Sequence, residues 1–279
     1  MEGCDLCARH CGVDRSQHVG FCRTGRLARV ASYGPHLGEE APLRGRAGSG
    51  TVFFSRCNLR CVFCQNHEIS QRPVGLELAP EDLAAVFLAV QDSGCHNLNL
   101  VSPTHVMAPV LEALVLAAEA GLRLPIVYNT GGYDSPEALA LLDGVVDIYM
   151  PDMKYDDAYV SRRLSHAAVY PQANQRAVRE MHRQVGDLRI NEHGLAERGL
   201  IVRHLVLPDG LAGTEGIVRF LASEISPDTY LNLMNQYRPD FLAPQYPALH
   251  RPTTASEFDA AVRLARRAGL RRLSGITVA

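Results

Sequence analysis

From Thr51 onward the chain alternates short β-rich runs with longer helical patterns. That alternation leaves few folds open, because strands separated by helices pair in parallel and need helices on their faces. Six runs read as strands: 51–55, 98–101, 125–128, 146–150, 200–206 and 230–234. Between the first two, Pro80 opens a helix in which Leu83, Val86, Phe87 and Val90 recur at helical spacing until Gly94 stops it. Further helices are expected over 107–120, 135–142, 172–186, 213–224 and 255–268. Six βα repeats predict an α/β fold, an open (β/α)6 partial TIM-like barrel with reactive groups at the C-terminal ends of its strands.

Composition narrows the function classes. A chain of 279 residues with 47% hydrophobic and 21% charged residues can bury a real core. A formal charge of -2 gives no long-range pull on phosphate backbones or anionic lipid, so neither nucleic acid nor membrane is an expected partner. The longest apolar run, 83–90, falls far short of the ~20 residues that span a bilayer. No basic segment followed by an apolar run opens the chain, and the expected compartment is the cytoplasm. In that reducing setting, eight cysteines point to metal ligands or catalytic groups rather than disulfides.

Seven of the eight lie in the first 64 residues. Cys57, Cys61 and Cys64 form a CxxxCxxC run directly after the first expected strand, which places three thiolates in one loop at the barrel mouth. Three cysteines ligate three irons of a cubane and leave the fourth iron open, whereas four saturate an electron-transfer cluster. The alternative is a zinc knuckle. Structural zinc takes four protein ligands, so this loop would be one short unless His67 completed it.

Cys4, Cys7, Cys11 and Cys22 supply four more thiolates, enough for a tetrahedral zinc or an iron–sulfur cluster; spacing does not choose between them. The segment around them has few aliphatic residues and cannot form a core without a cross-link or metal. The expected organisation is a Cys-rich metal-binding module over 1–25, a connector rich in Gly, Arg and Pro over 26–50, the barrel over 51–250, and a C-terminal helix over 251–279 packing on the barrel. Cys95 reads as a buried inert thiol.

CxxxCxxC after the first strand of a six-fold βα chain resembles the radical S-adenosylmethionine (SAM) superfamily. The resemblance implies a [4Fe-4S] cluster whose open iron is chelated by SAM, and reductive cleavage of SAM to a 5'-deoxyadenosyl radical that abstracts hydrogen. Phe63 matches the family position that packs near adenine; an ordinary core aromatic is the alternative.

Strand four runs into Met150-Pro151-Asp152-Met153-Lys154, where period-two alternation puts Met150, Asp152 and Lys154 on one side. Strand three runs into Asn129-Thr130-Gly131-Gly132, whose glycines allow close backbone approach. These segments resemble the pyruvate formate-lyase activating enzymes. By that resemblance Asn129, Thr130, Met150 and Asp152 would hold a monovalent cation beside SAM, and Lys154 would face the SAM carboxylate. Asn129 stands where the pattern has Asp, which removes one negative charge from the cation site.

Arg203 interrupts an apolar strand, and a buried guanidinium requires an anion, either the SAM carboxylate or a structural partner. Gln236 stands where activating enzymes carry a ribose-contacting His. Ser102 and Thr104 follow strand two in place of the GGE-like motif that accepts the SAM amino group; helix capping is their alternative role. The run CxLCxRxCGVxR followed by GFCxxG resembles the N-terminus of PflX-type relatives of the activating enzymes. The implied function is hydrogen abstraction from a protein or peptide, as in glycyl-radical activases, with a flavodoxin- or ferredoxin-like electron donor. The alternatives are a radical SAM enzyme acting on a small molecule and a zinc-stabilised binding module without redox chemistry.

Overall fold

A computed structural model describes residues 3–275. The first two residues of the Cys-rich segment and the last four of the C-terminal segment lie outside the described residues. The strands are β1 (Ala28–His36), β2 (Ser49–Phe54), β3 (Leu76–Leu78), β4 (Leu98–Val101), β5 (Ile126–Thr130), β6 (Ile148–Pro151), β7 (Arg189–Ile190), β8 (Ala196–Leu205), β9 (Tyr230–Met234) and β10 (Arg272–Ser274). The α-helices are α1 (Ala41–Arg44), α2 (His67–Ser70), α3 (Pro80–Asp92), α4 (Met107–Glu119), α5 (Pro136–Ala140), α6 (Ala158–Ser165), α7 (Tyr170–Val185), α8 (Thr214–Phe220) and α9 (Ala255–Arg267).

All six expected strands form, as β2, β4, β5, β6, β8 and β9, and they pair in parallel in chain order. β10 adds a parallel strand beyond β9, while β1 and β3 extend the opposite end antiparallel. The sheet order is β10-β9-β8-β6-β5-β4-β2-β1-β3, with β7 paired to β8, so the barrel is open, as the α/β partial-barrel expectation had it.

The segment 26–50 is more structured than a connector. Its polar, Gly-interrupted sequence hides β1, which pairs with β2 from Val30 to His36 across one register shift. Such an edge strand needs apolar residues on one face only, and Ala28 and Val30 alone are buried. α6 is a second element without an expected counterpart; only eight residues long, it starts on an Asp157 cap that accepts the Val160 N–H at 2.7 Å.

Strand alternation sorts the core into layers. Tyr128, Tyr149, Leu200, Leu231 and Leu233 face the helices, with α3, α4, α7, α8 and α9 supplying Phe87, Val110, Met181, Ile217 and Phe258. Val127, Ile148, Met150 and Ile201 face inward and close on Leu43 of α1 as an apolar plug. Beside this plug the inward positions turn polar. Asp152 bridges to Arg203, and Arg203 pairs with Asn232, so three polar residues from adjacent strands share one row.

α9 begins with a capping box: the Thr254 hydroxyl accepts the Glu257 N–H and the Glu257 carboxylate returns to the Thr254 N–H at 2.8 Å. Losing such a cap costs about 1 kcal/mol. No helix among the described residues is long and apolar enough to cross a membrane.

Candidate active site

A cavity of about 670 Å³ opens at the C-terminal ends of the parallel strands and runs down beside the plug, within the range that encloses small ligands. Cys57, Cys61 and Cys64 all line it, together with Ser102, Asn129, Thr130, Asp152, Lys154, Arg203 and Gln236. Residues from six loops and strands, up to 179 positions apart in sequence, thus meet at one mouth because parallel strands end on one side.

Each cysteine sulfur has its own hydrogen-bond donor or hydroxyl neighbour. The Leu59 N–H points at Cys57 Sγ at 3.4 Å, the Ser165 hydroxyl donates to Cys61 Sγ at 3.0 Å, and Ser70 Oγ lies 3.2 Å from Cys64 Sγ. Burial pushes the Cys57 thiol up to about 12, and the Cys61 and Cys64 sulfurs add to the rise. The Lys154 ammonium opposes that rise at both Cys57 and Cys61. Among the described residues no three Cys, His, Asp or Glu side chains converge on one point as ligands of a single ion do. A cubane asks for something else, one thiolate per iron around a larger body, and three thiols on one cavity wall with a facing ammonium fit that group. His67 is not a fourth ligand. Its ring stacks on Phe241 at 4.9 Å and does not line the cavity.

Opposite the cysteines, Lys154 Nζ pairs with Asp152 Oδ2 at 2.5 Å. Burial works against the ammonium, but Asp152 and Cys61 outweigh it and hold Lys154 charged. The turn that carries Asn129 and Thr130 approaches this pair closely. A Cβ on Gly132, at φ +70°, would stand 2.4 Å from the Asp152 carbonyl, so only glycine fits. Tyr170 OH sits 2.8 Å from the Gly131 carbonyl and accepts the Lys154 N–H at 3.1 Å, fixing the ends of β5 and β6 together. Ser102 lines the cavity from a left-handed backbone, φ +58°, with its N–H held by the Asn129 carbonyl.

Four expectations need correction. Phe63 packs edge-on between Tyr155 and Tyr237, with ring centroids 6.4 and 5.9 Å away, and its side chain faces the core rather than the cavity. Thr104 is buried and donates to Asp134 at 2.8 Å, off the cavity wall. Met150 belongs to the apolar plug, fully buried. Thr130 does line the cavity, yet its hydroxyl is committed to Asp134 at 2.7 Å. The Thr130 and Met150 side chains are thus engaged elsewhere, while Asn129 and Asp152 line the cavity with side-chain oxygens that meet Arg203 Nη1 at 3.5 Å and Lys154 Nζ at 2.5 Å.

Arg203 needs a fifth correction: it lines the cavity, but its fork is already filled. Its Nε and Nη2 each donate to Glu40 at 2.6 Å, and Nη2 also pairs with Glu39. Burial works against both carboxylates. For Glu40 the bidentate Arg203 wins and holds it below its usual range, while Glu39 is pushed up by burial and by the Glu40 charge. The guanidinium thus answers a structural anion, not a vacant place for the SAM carboxylate.

Sequence reading missed Glu39, Glu40, Ser70, Asp134 and Ser165. The adjacent acidic pair was the one visible signal, since a buried strand arginine must find an anion somewhere. Nothing in sequence distinguishes Ser165 from other helix-terminal serines.

The four N-terminal cysteines gather beside Asn58 of the Cys57–Cys64 loop. Cys4, Cys7, Cys11 and Cys22 line a second, small void with Arg15, Asn58 and His105.

The radical SAM superfamily model matches residues 51–191. An uncharacterized protein of Methanocaldococcus jannaschii, MJ0674, is 31% identical over 97% of this chain and 76% of its own length. Among solved structures, a radical SAM methyltransferase from Sphaerobacter thermophilus aligns over 81% of this chain at 16% identity with a TM-score of 0.53. The structure described as native anSMEcpe with bound AdoMet aligns over 78% at 10% identity, TM-score 0.51. This chain spans 65% and 61% of those two chains, less than two thirds of either, and at such identity the likeness is one of fold. The family model covers half the chain and coincides with the strand–loop–cavity arrangement around Cys57, Cys61 and Cys64: the protein belongs to the radical SAM superfamily.

Proposed function

We propose that the protein is a PflX-type, activase-like member of that superfamily, which abstracts hydrogen from a protein or peptide. Membership implies a [4Fe-4S] cluster and SAM; when bound, they supply one-electron cleavage of the SAM C5'–S bond to methionine and a 5'-deoxyadenosyl radical. The observation that carries the reading is the meeting of Cys57, Cys61 and Cys64 with the Asp152–Lys154 pair across one cavity.

The chain's own residues then have distinct tasks. The three cysteines hold the cluster. Lys154 offers an ammonium to the SAM carboxylate, and Asp152 keeps that ammonium charged and aimed. Asn129 and Ser102 present neutral polar groups to the methionine end, and Gln236 stands at the rim for the ribose. The apolar plug of Val127, Ile148, Met150 and Ile201 closes the barrel interior against water. A flavodoxin- or ferredoxin-like donor in the cytoplasm supplies the electron, and the N-terminal cysteines hold a second metal.

The reaction itself is tested by anaerobic incubation of reconstituted protein with dithionite and SAM. Methionine and 5'-deoxyadenosine are expected, and release by Cys61→Ala equal to the native rate would sink the ligand assignment. The protein-substrate reading is tested by incubation in deuterated cell extract. Deuterium should reach 5'-deoxyadenosine from the macromolecular fraction; arrival only from the small-molecule fraction would favour a metabolite as substrate instead.

A further inference from the structure

Arg15 is 3% exposed, yet none of its hydrogen-bond partners is a carboxylate. Its Nε donates to the Gly25 carbonyl at 3.1 Å and its Nη2 to the His105 carbonyl at 2.9 Å. Its Nη1 points between two sulfurs, Cys4 Sγ and Cys22 Sγ, each at 3.4 Å. A buried guanidinium without a compensating anion is costly, by several kcal/mol in order of magnitude. Neutral thiols offer no compensation. Thiolates bound to a metal do: zinc with four thiolates and a cubane with four thiolates are both dianionic.

The remaining two cysteines close the same void. Cys11 Sγ accepts the Phe21 N–H at 3.5 Å and packs tightly on Gly20, where a Cβ would approach it to 3.3 Å. Cys7 lies against Asn58, whose Oδ1 is 3.7 Å from the Cys57 sulfur. The segment is clamped to that loop from both sides. The Phe21 ring sits under Arg9 at 3.8 Å and under Arg60 at 4.3 Å, Arg60 donates to the Phe21 carbonyl at 2.9 Å, and Arg9 donates to the Asn58 carbonyl at 3.0 Å.

We propose that Cys4, Cys7, Cys11 and Cys22 hold a dianionic metal–thiolate centre whose counter-cation is Arg15, and that Asn58 is shared between this centre and the Cys57 loop. This deepens the second-metal reading given above and does not depend on SAM being cleaved. The ligand class is a thiophilic metal: an iron–sulfur cluster takes one thiolate per iron, whereas one zinc ion requires the four sulfurs, which do not converge on one point here, to draw together, and sulfide separates the two. The centre, together with the Tyr133 carbonyl that accepts the Asn58 Nδ2 hydrogen bond at 2.9 Å, would hold Asn58 and through it the loop that presents Cys57.

The test uses the full chain carrying Cys57→Ala, Cys61→Ala and Cys64→Ala, purified without oxygen, with metal and acid-labile sulfide counted per chain. Zinc without sulfide supports the centre as a staple; iron with comparable sulfide supports it as a cluster. A chain with neither, and with all four N-terminal thiols open to a thiol reagent, overturns it. Because the cluster cysteines are absent, that outcome is independent of the SAM chemistry. In the same background Arg15→Gln, which keeps N–H donors but loses the charge, should release metal to a chelator at least about tenfold faster. Release at the parent rate overturns the counter-cation role. Where Arg15→Gln does not fold, Arg15→Lys decides: it keeps the charge, so retained metal is expected and a metal-free chain overturns the role.

Discussion

The Ser165 hydroxyl donates to the Cys61 sulfur at 3.0 Å, joining the last residue of α6 to the cluster loop across 104 positions of sequence. Tyr155 OH lies 2.7 Å from Ser165 Oγ; with the serine proton given to sulfur, the phenol donates to the serine. A donor on a ligating sulfur favours the more negative, reduced cluster. Ser165→Ala removes it. With a net hydrogen bond of ~0.5–1.5 kcal/mol, the cluster potential should fall by roughly 20–60 mV for a one-electron couple. Redox titration followed by electron paramagnetic resonance measures this, and an unchanged potential with full cluster content would remove Ser165 from the ligand environment.

Lys154 faces the cavity with its charge held by Asp152 at 2.5 Å. Lys154→Gln keeps most of the length and some donor capacity but loses the ammonium that the SAM carboxylate would meet. The Kd for SAM, measured by equilibrium binding to the cluster-loaded protein, should rise by about tenfold or more. Iron and sulfide content should stay at the native level. A variant that binds SAM normally would move the carboxylate partner elsewhere.

Arg203 offers the opposite expectation, because Glu39 and Glu40 already fill its fork. Arg203→Leu would leave two buried carboxylates side by side, a loss of about 3–5 kcal/mol in stability by denaturant unfolding. Adding Glu39→Gln should recover part of that loss, a coupling that distant mutations do not show. If Arg203→Leu kept its stability and lost only SAM affinity, the ion pair would not be its main task.

How much of this was legible in sequence follows from how local each feature is. The six parallel strands and the CxxxCxxC loop are short patterns with a strong period or spacing, and the sequence displays both. β1 is an edge strand over a Gly- and Arg-rich stretch, so its pairing with β2 depends on a partner that local pattern does not reveal. Asp152 and Lys154 were visible as polar residues past a strand end, and they line the cavity. The roles expected of Met150 and Phe63 came from the family resemblance, but apolar side chains at a barrel mouth join whichever core lies beneath, and these two did. Arg15 stood in the CGVxR run with no assigned task; only its burial against two sulfurs supplies one.

His204 is fully buried in β8, its Nδ1 donating to the Met153 carbonyl at 2.7 Å and its Nε2 accepting from Thr214 at 2.9 Å. Burial lowers its pKa from 6.5 to about 4, against the opposing pull of the Met153 carbonyl and the Asp152 charge, so the ring is neutral in the folded chain. Between those two values the unfolded chain binds a proton that the folded chain does not. Stability is therefore complete above pH 6.5 and declines as pH falls toward 4, by up to about 3 kcal/mol for this one group. His204→Gln cannot titrate and should flatten that part of the profile while costing stability at neutral pH through the imperfect replacement of two hydrogen bonds. Urea midpoints at pH 7.5, 6 and 5 measure both effects. Parallel losses in the variant and the native chain would assign the acid sensitivity to His105, which is buried with a similarly lowered pKa, or to other groups.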